Sequence, residues 1–189
     1  MRKLLFFAGM ALAASAALSM FSACNDGEKS AWSEYADYRE LNQQWLNELR
    51  AKKNPDGTPY YEVVVPAWNT GSYVLMHFFN DRAETEGNLS PLYTSTTDSR
   101  YTLHLYDGTR VDSSAYLTDP APGVYRSTVS NNIQGWAIAQ TYMRCGDTAE
   151  VIVPYGVGYG ASGSSAIKPY SNLRFNIRLL DIYKYELAP

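Results

Sequence analysis

The sequence predicts an α+β domain in which about five antiparallel strands wrap around one short helix, with a separate helical extension before it. Three observations predict it. Five runs rich in β-branched and aromatic residues, Tyr60–Val65, Tyr73–Phe79, Tyr101–Tyr106, Ala149–Val153 and Leu173–Tyr183, are separated by Gly, Pro, Asn and Asp clusters. One short segment between them, Asn131–Met143, reads as a helix, and an earlier stretch, Ala31–Lys53, changes to helical periodicity. The chain shows neither an internal repeat nor a low-complexity segment.

The chain opens with Arg2 and Lys3, an apolar run from Leu4 to Phe21, then Ser22 and Ala23 just before Cys24. A basic start, a short apolar core and a Ser-Ala-Cys end read as a lipoprotein secretion signal, after which Cys24 is acylated and becomes the new N-terminus. A transmembrane anchor would need about 20 apolar residues. The expected organisation is a signal peptide over residues 1–23, a tether and N-terminal helix over 24–58, and a folded domain over 59–189. Asn25 after the cysteine, where Asp would favour the inner membrane, points to lipid anchoring in the outer membrane of a bacterial envelope. Loss of Arg2 and Lys3 moves the formal charge from −3 to −5, which does not suit a nucleic-acid binder. About 165 residues then remain, enough for one core and an extension.

Asn25–Lys29 is small and polar, a tether. In the helix that follows, Tyr35, Tyr38, Leu41, Trp45 and Leu49 recur at steps of three and four, so an aromatic stripe is expected to pack on the domain or on a second copy. Ser30 or Ser33 is placed to cap its start, and Asn54-Pro55-Asp56-Gly57 supplies turn chemistry at its end. In the third strand Tyr101, Leu103 and Leu105 alternate onto one face, with Thr102, His104 and Tyr106 on the other. The short helix is expected to start at an Asn cap and to bury Ile133, Trp136, Ile138 and Ala139.

Most catalytic apparatus is missing. His77 and His104 are the only histidines and lie on expected strands without ligand spacing, so neither metal nor other cofactor is implied. Cys145 is the one thiol beyond Cys24, unaccompanied by a histidine motif, and is expected to be a buried free cysteine. Gly156-Val-Gly158-Tyr-Gly-Ala161 meets the dinucleotide pattern after a strand, but Ser162 to Pro169 cannot open the helix that would hold a pyrophosphate.

Two motifs occur in order. The first, Tyr101-Thr-Leu-His-Leu-Tyr-Asp107-Gly108-Thr-Arg-Val111-Asp112-Ser113-Ser114, approximates Tyr-Thr-Gly, a short spacer, Asp-Gly and Phe-Asp-Ser-Ser. The second joins Gly135-Trp136 to Gly146, then Val151 through Tyr159-Gly160, then Leu173-Arg-Phe175 through Leu180. Together they resemble the FKBP-type peptidyl-prolyl isomerases over roughly Gly71 to Tyr183.

That resemblance implies an FKBP-like fold and a pocket that isomerises X–Pro bonds without cofactor. Residue by residue it implies Trp136 as the floor under the proline ring, Tyr101 and Phe175 as walls, and Ile133 as the source of a backbone N–H for the substrate carbonyl. Tyr159 would supply a phenol to the bound peptide, Asp112 an acidic group beside the pocket, and Ile167 an apolar residue above it. Val111 stands where the family has a pocket phenylalanine, Gly123 or Val124 where another pocket aromatic is expected, and Asn131-Asn132 replaces an acidic and an aliphatic residue. Leu103 replaces the glycine after Tyr-Thr.

The resulting expectation is a lipid-anchored isomerase for proline-containing polypeptides of the envelope, with the N-terminal helix as the candidate surface for a homodimer. An alternative is an FKBP-like binding or chaperone lipoprotein with weak or absent catalysis. A third is a structural subunit joined to a larger assembly by the helix.

Overall fold

The computed structural model describes residues 30–186; the expected signal peptide, Cys24 and the expected tether lie outside the described residues. The extension begins at Ser30, whose Oγ accepts from Ser33 N–H at 3.4 Å and closes the start of α1 (Ala31–Glu34). A turn at Tyr35 separates α1 from α2 (Ala36–Ala51). The docked face of α2 is rotated from the expected stripe. Leu41 is 48% exposed, whereas Asn42 and Leu46 are 1% and 4% exposed. Asn42 turns inward because a buried amide, Asn172, matches its polar groups. Beneath the helix Leu46 packs with Tyr61, Leu75 and Ile152. The chain leaves α2 through the Asn54–Gly57 turn, where Gly57 takes φ 86° and Asp56 Oδ1 accepts from Thr58 N–H at 2.9 Å.

The sheet contains β1 (Glu62–Val64), β2 (Val74–Phe78), β3 (Thr96–His104), β4 (Arg110–Ser113), β5 (Tyr125–Thr128), β6 (Thr148–Val153) and β7 (Leu173–Lys184). Every pairing is antiparallel, in the order β1-β2-β6-β7-β3-β4, and β5 pairs with the first half of β3. Two strands exceed the sequence expectation. Both, β4 and β5, are four residues long and divide one edge of β3 between them. β3 also starts five residues earlier than its apolar alternation suggests, because its first inward positions are Thr97 and Ser99, each 1% exposed. Thr97 Oγ1 donates to Gln140 Oε1 and Gln140 Nε2 donates to Ser99 Oγ, each at 2.8 Å, which satisfies all three buried side chains.

Strand alternation separates two faces. Val74, Met76, Val151 and Val153 point to the concave side, where α3 (Gln134–Tyr142) lies with Gly135 through Gln140 all buried. Leu75 and Ile152 point to the opposite side and receive α2. Burying Ile138 and Met143 fully in the concave core contributes about 1.5–3 kcal/mol each. The expected Asn cap is not made. The helix starts at Ile133 without a side-chain cap, and Asn132 Nδ2 turns back to Ser127 Oγ and the Thr128 carbonyl. The Gly156–Ala161 pattern runs through a 3-10 turn and further turns, and no helix opens there. His77 is a β2 residue stacked on Tyr60 at 3.9 Å, and Cys145 is a half-buried free thiol whose pKa burial pushes up.

Candidate functional site

On the concave face the start of α3, β3, the β4 and β5 edges and the β6–β7 loop enclose a cleft of ≈ 270 Å³. Its lining includes Tyr101, Asp112, Ile133, Trp136, Tyr159 and Phe175. The fold thus brings together six motif residues spread along the chain from Tyr101 to Phe175.

The floor is Trp136, 3% exposed, which an unusual close approach places there. A Cβ on the preceding Gly135 would sit 2.3 Å from Val153 Cγ1, so only glycine lets the first turn of α3 come this near to β6. Around the indole, Tyr101, Phe175 and Tyr125 lie edge-on with centroids at 5.3, 5.4 and 5.9 Å and interplanar angles of 82°, 77° and 88°. Edge-to-face packing turns each ring's positive rim toward a neighbour's negative face, so the four rings fix one another's orientation.

Polar groups sit on the rim. Tyr101 donates its phenol to Asp112 Oδ2 at 2.7 Å, while Asp112 Oδ1 accepts from Ser113 N–H at 2.7 Å. Burial first, and then the Asp112 carboxylate, hold the Tyr101 phenol far above its ordinary pKa. The Tyr159 phenol is likewise pushed up by burial, with the charges of Asp112 and Tyr125 adding to it. Tyr125 donates to Asn132 Oδ1 at 2.9 Å, which makes Asn132 a brace for the wall. Two donors at the cleft lack a partner among the described residues: the Ile133 N–H, at the turn into α3, and the buried Nε1–H of Trp136. An aromatic seat with a polar rim and an unpaired backbone N–H at its edge is suited to a compact apolar group bearing a carbonyl.

Three sequence expectations change. Tyr125 supplies the pocket aromatic expected at Gly123 or Val124; Val124 is buried, and Gly123 lines a groove on the other side of the sheet. Val111 packs on the core but does not line the cleft. The reason is a bulge: Leu103 pairs with Asp112 and His104 with Arg110, which leaves Val111 as the extra residue. Ile167, 5% exposed, is also drawn into the core and not into the lining. Leu103, Asn131 and Asn132 do line the cleft, and only the second motif's spacing to Ile133 hints at the two asparagines. A larger groove of ≈ 540 Å³ between Arg100, Thr102, Asn176 and Arg178 shares only Tyr101 with the cleft and lacks its aromatic lining.

Comparison with known proteins agrees with this geometry. Residues 91–180 match the family model for the FKBP-type peptidyl-prolyl cis-trans isomerase. The chain is 34% identical over 105 residues to a macrophage infectivity potentiator of Trypanosoma cruzi, covering 55% of this chain and 52% of that protein. It therefore spans about half that relative's length. An FK506-binding protein of Neisseria meningitidis serogroup C is 35% identical over 85 residues, covering 44% of this chain and 76% of that protein. A peptidyl-prolyl cis-trans isomerase structure from Pseudomonas syringae superposes with a TM-score of 0.60 at 21% identity, covering 78% of this chain and 95% of that one, a likeness of fold. With the family model spanning β3 to β7 and most of the Neisseria protein matched, the chain belongs to the FKBP-type peptidyl-prolyl cis-trans isomerase family.

Proposed function

We propose that the protein catalyses cis–trans isomerisation of X–Pro bonds in exported polypeptides, working from a lipid anchor at Cys24 on the bacterial envelope. The observation that carries the catalytic part is the cleft itself: three aromatic rings braced edge-on around a buried indole, with the unpaired Ile133 N–H at its edge. Rotation about the peptide bond faces a barrier of about 18–20 kcal/mol because it breaks amide resonance. A site for that reaction needs no covalent step. It needs an apolar seat for the proline ring and fixed dipoles that replace water around the amide as its carbonyl and nitrogen change polarity.

In this reading Trp136 seats the ring, and Tyr101, Tyr125 and Phe175 exclude water around it. The Ile133 N–H donates to the carbonyl that follows proline, and the Tyr159 phenol donates to the peptide backbone on the other rim. Asp112 holds the Tyr101 ring at its wall through the 2.7 Å bond. The Tyr101 phenol keeps its proton throughout the neutral range, since its pKa lies far above it. Proline-containing segments of envelope proteins are the partners, and no cofactor takes part.

The test is relaxation of proline peptides with different preceding residues, measured on the chain from Cys24 onward. Uncatalysed exchange takes tens of seconds. The wild type is expected to shorten it, and Trp136→Phe, which keeps an aromatic floor but vacates part of the seat, to lose most of that acceleration. A wild-type rate equal to the background, from protein shown to be folded, would leave a binding module in place of the isomerase.

A further inference from the structure

We propose that the N-terminal helix is a positioning element for the site, with Tyr38 and Asn42 of α2 holding the β6–β7 loop so that Tyr159 stands at the rim of the cleft. The functional consequence rests on the isomerase reading; the structural half does not.

Tyr159 lies in the loop that spans residues 154–172, whose regular structure is the Tyr155–Val157 turn. Its course is set by a few internal bonds. Gly160 N–H donates to the Tyr155 carbonyl at 2.9 Å and Tyr170 N–H donates to the Gly160 carbonyl at 3.0 Å, so Tyr159 is slung between Tyr155 and Tyr170. Both of those supports are gripped from the N-terminal extension.

The grip on Tyr155 runs through two buried amides. Tyr155 N–H donates to Asn172 Oδ1 at 2.8 Å. Asn172 Nδ2 in turn donates to the Asn42 carbonyl at 2.7 Å, and Asn172 N–H donates to Asn42 Oδ1 at 2.9 Å. Asn42 completes its own set by donating Nδ2 to the Tyr38 carbonyl at 2.9 Å. Each asparagine is 1% exposed, and the two bonds between them are shielded from water. One turn earlier on the same face, the Tyr38 phenol donates to Ser171 Oγ at 2.8 Å, and the Ser171 hydroxyl donates to the Lys168 carbonyl at 2.7 Å.

The second support is strained. Tyr170 has φ 62°, a left-handed conformation that a bulky residue keeps only where its surroundings impose it. Its ring, 5% exposed, stands edge-on between Trp32 of α1 and Tyr155, both with centroids at 5.5 Å. Helix docking alone does not require these contacts, because Leu46, Trp45 and Leu49 already anchor α2 on the outer face of the sheet. The polar contacts are directed at the loop, and through it at a residue that none of them touches.

The experiment compares the wild type with Asn42→Ala, Tyr38→Phe and Leu49→Ala in the full mature chain. The last weakens helix docking away from the loop. Amide hydrogen exchange of residues 156–170 is read alongside titration of a proline peptide and its KM and kcat. Asn42→Ala is expected to speed loop exchange about tenfold or more, the size of a lost buried hydrogen bond, and to raise the peptide's Kd and KM with a smaller change in kcat. Tyr38→Phe should do the same more weakly, and it decides the matter if Asn42→Ala does not fold. Leu49→Ala should lower the melting temperature while leaving loop exchange and peptide affinity near wild type. Loop exchange that rises no more in Asn42→Ala than in Leu49→Ala, or a loosened loop with unaltered peptide affinity, overturns the proposal. A wild type without isomerase activity would overturn the isomerase reading instead, and exchange would still decide whether α2 holds the loop.

Discussion

Replacing Gly135 by alanine separates two effects of opposite sign. In an ordinary helix the change is favourable by about 1 kcal/mol, because alanine orders more cheaply than glycine. Here the new Cβ would lie 2.3 Å from Val153 Cγ1, 3.0 Å from Cγ2 and 3.2 Å from Cβ. Comfortable carbon contacts begin near about 3.5 Å, so α3 and β6 must part by roughly 1 Å or the buried Val153 must leave its rotamer. Overpacking of this kind costs about 1–3 kcal/mol. The clash is expected to win, leaving a net loss of up to about 2 kcal/mol and lowering the melting temperature by up to about 8 °C. Val153→Ala removes the two methyl groups that collide, so the double variant should be more stable than the sum of the single losses implies. Thermal unfolding followed by circular dichroism supplies all four corners of the cycle. Peptide affinity should fall in Gly135→Ala and recover in the double variant, since the same displacement moves Trp136 and Ile133. A Gly135→Ala protein more stable than wild type, or strictly additive losses, would refute the close-approach account of the Gly-Trp pair.

Three other outcomes are expected. Tyr125→Leu should reduce isomerase activity several-fold, whereas Val111→Phe, at a bulge outside the lining, should not raise it; a clear gain from Val111→Phe would mean that the family's phenylalanine position does face the substrate. Burial, ahead of any carboxylate partner, raises the phenol pKa of Tyr61, Tyr101, Tyr142 and Tyr159. The native state therefore holds protons that the unfolded chain releases above about pH 10, so stability is fully present below that pH and declines above it. Calorimetry from pH 8 to 11.5 should show the decline, with a shallower slope in Tyr61→Phe, and a flat or rising midpoint would contradict it. Cys24→Ser should release the protein from membranes, and a variant that stays bound through salt washing would exclude the lipid anchor.

Legibility in the sequence follows residue chemistry closely. The aromatic floor and walls, Trp136, Tyr101 and Phe175, were legible because large rings beside diagnostic glycines leave a spaced pattern, and the strands that carry them alternate. Tyr125 was missed by one or two positions, since β5 is only four half-buried residues with no apolar alternation to fix its phase. Val111 was misplaced because a bulge shifts pairing between Leu103 and His104, and a bulge has no hydrophobic signature. The stripe on α2 was read from its aromatics, yet the buried positions are Asn42 and Leu46. A buried asparagine looks like a surface residue until its partner, 130 positions away, is known.

Amide side chains around the cleft share a physical role. Three amide side chains each brace a different wall: Gln140 ties α3 to β3 beneath Trp136 and Tyr101, Asn132 holds Tyr125, and Asn172 holds the loop that carries Tyr159. An apolar core is tolerant of small slips, because a methyl group loses little when its neighbour moves by a fraction of an ångström. A buried amide is not, because a broken bond leaves donors and acceptors unsatisfied at about 1–3 kcal/mol each. Bonding such groups to the rings, or to the strands and loop that carry them, makes displacement of any wall costly. For the proposed isomerisation, which uses no nucleophile and depends on holding a seat and its dipoles in place, rigidity behind the wall stands in for the reactive groups used elsewhere.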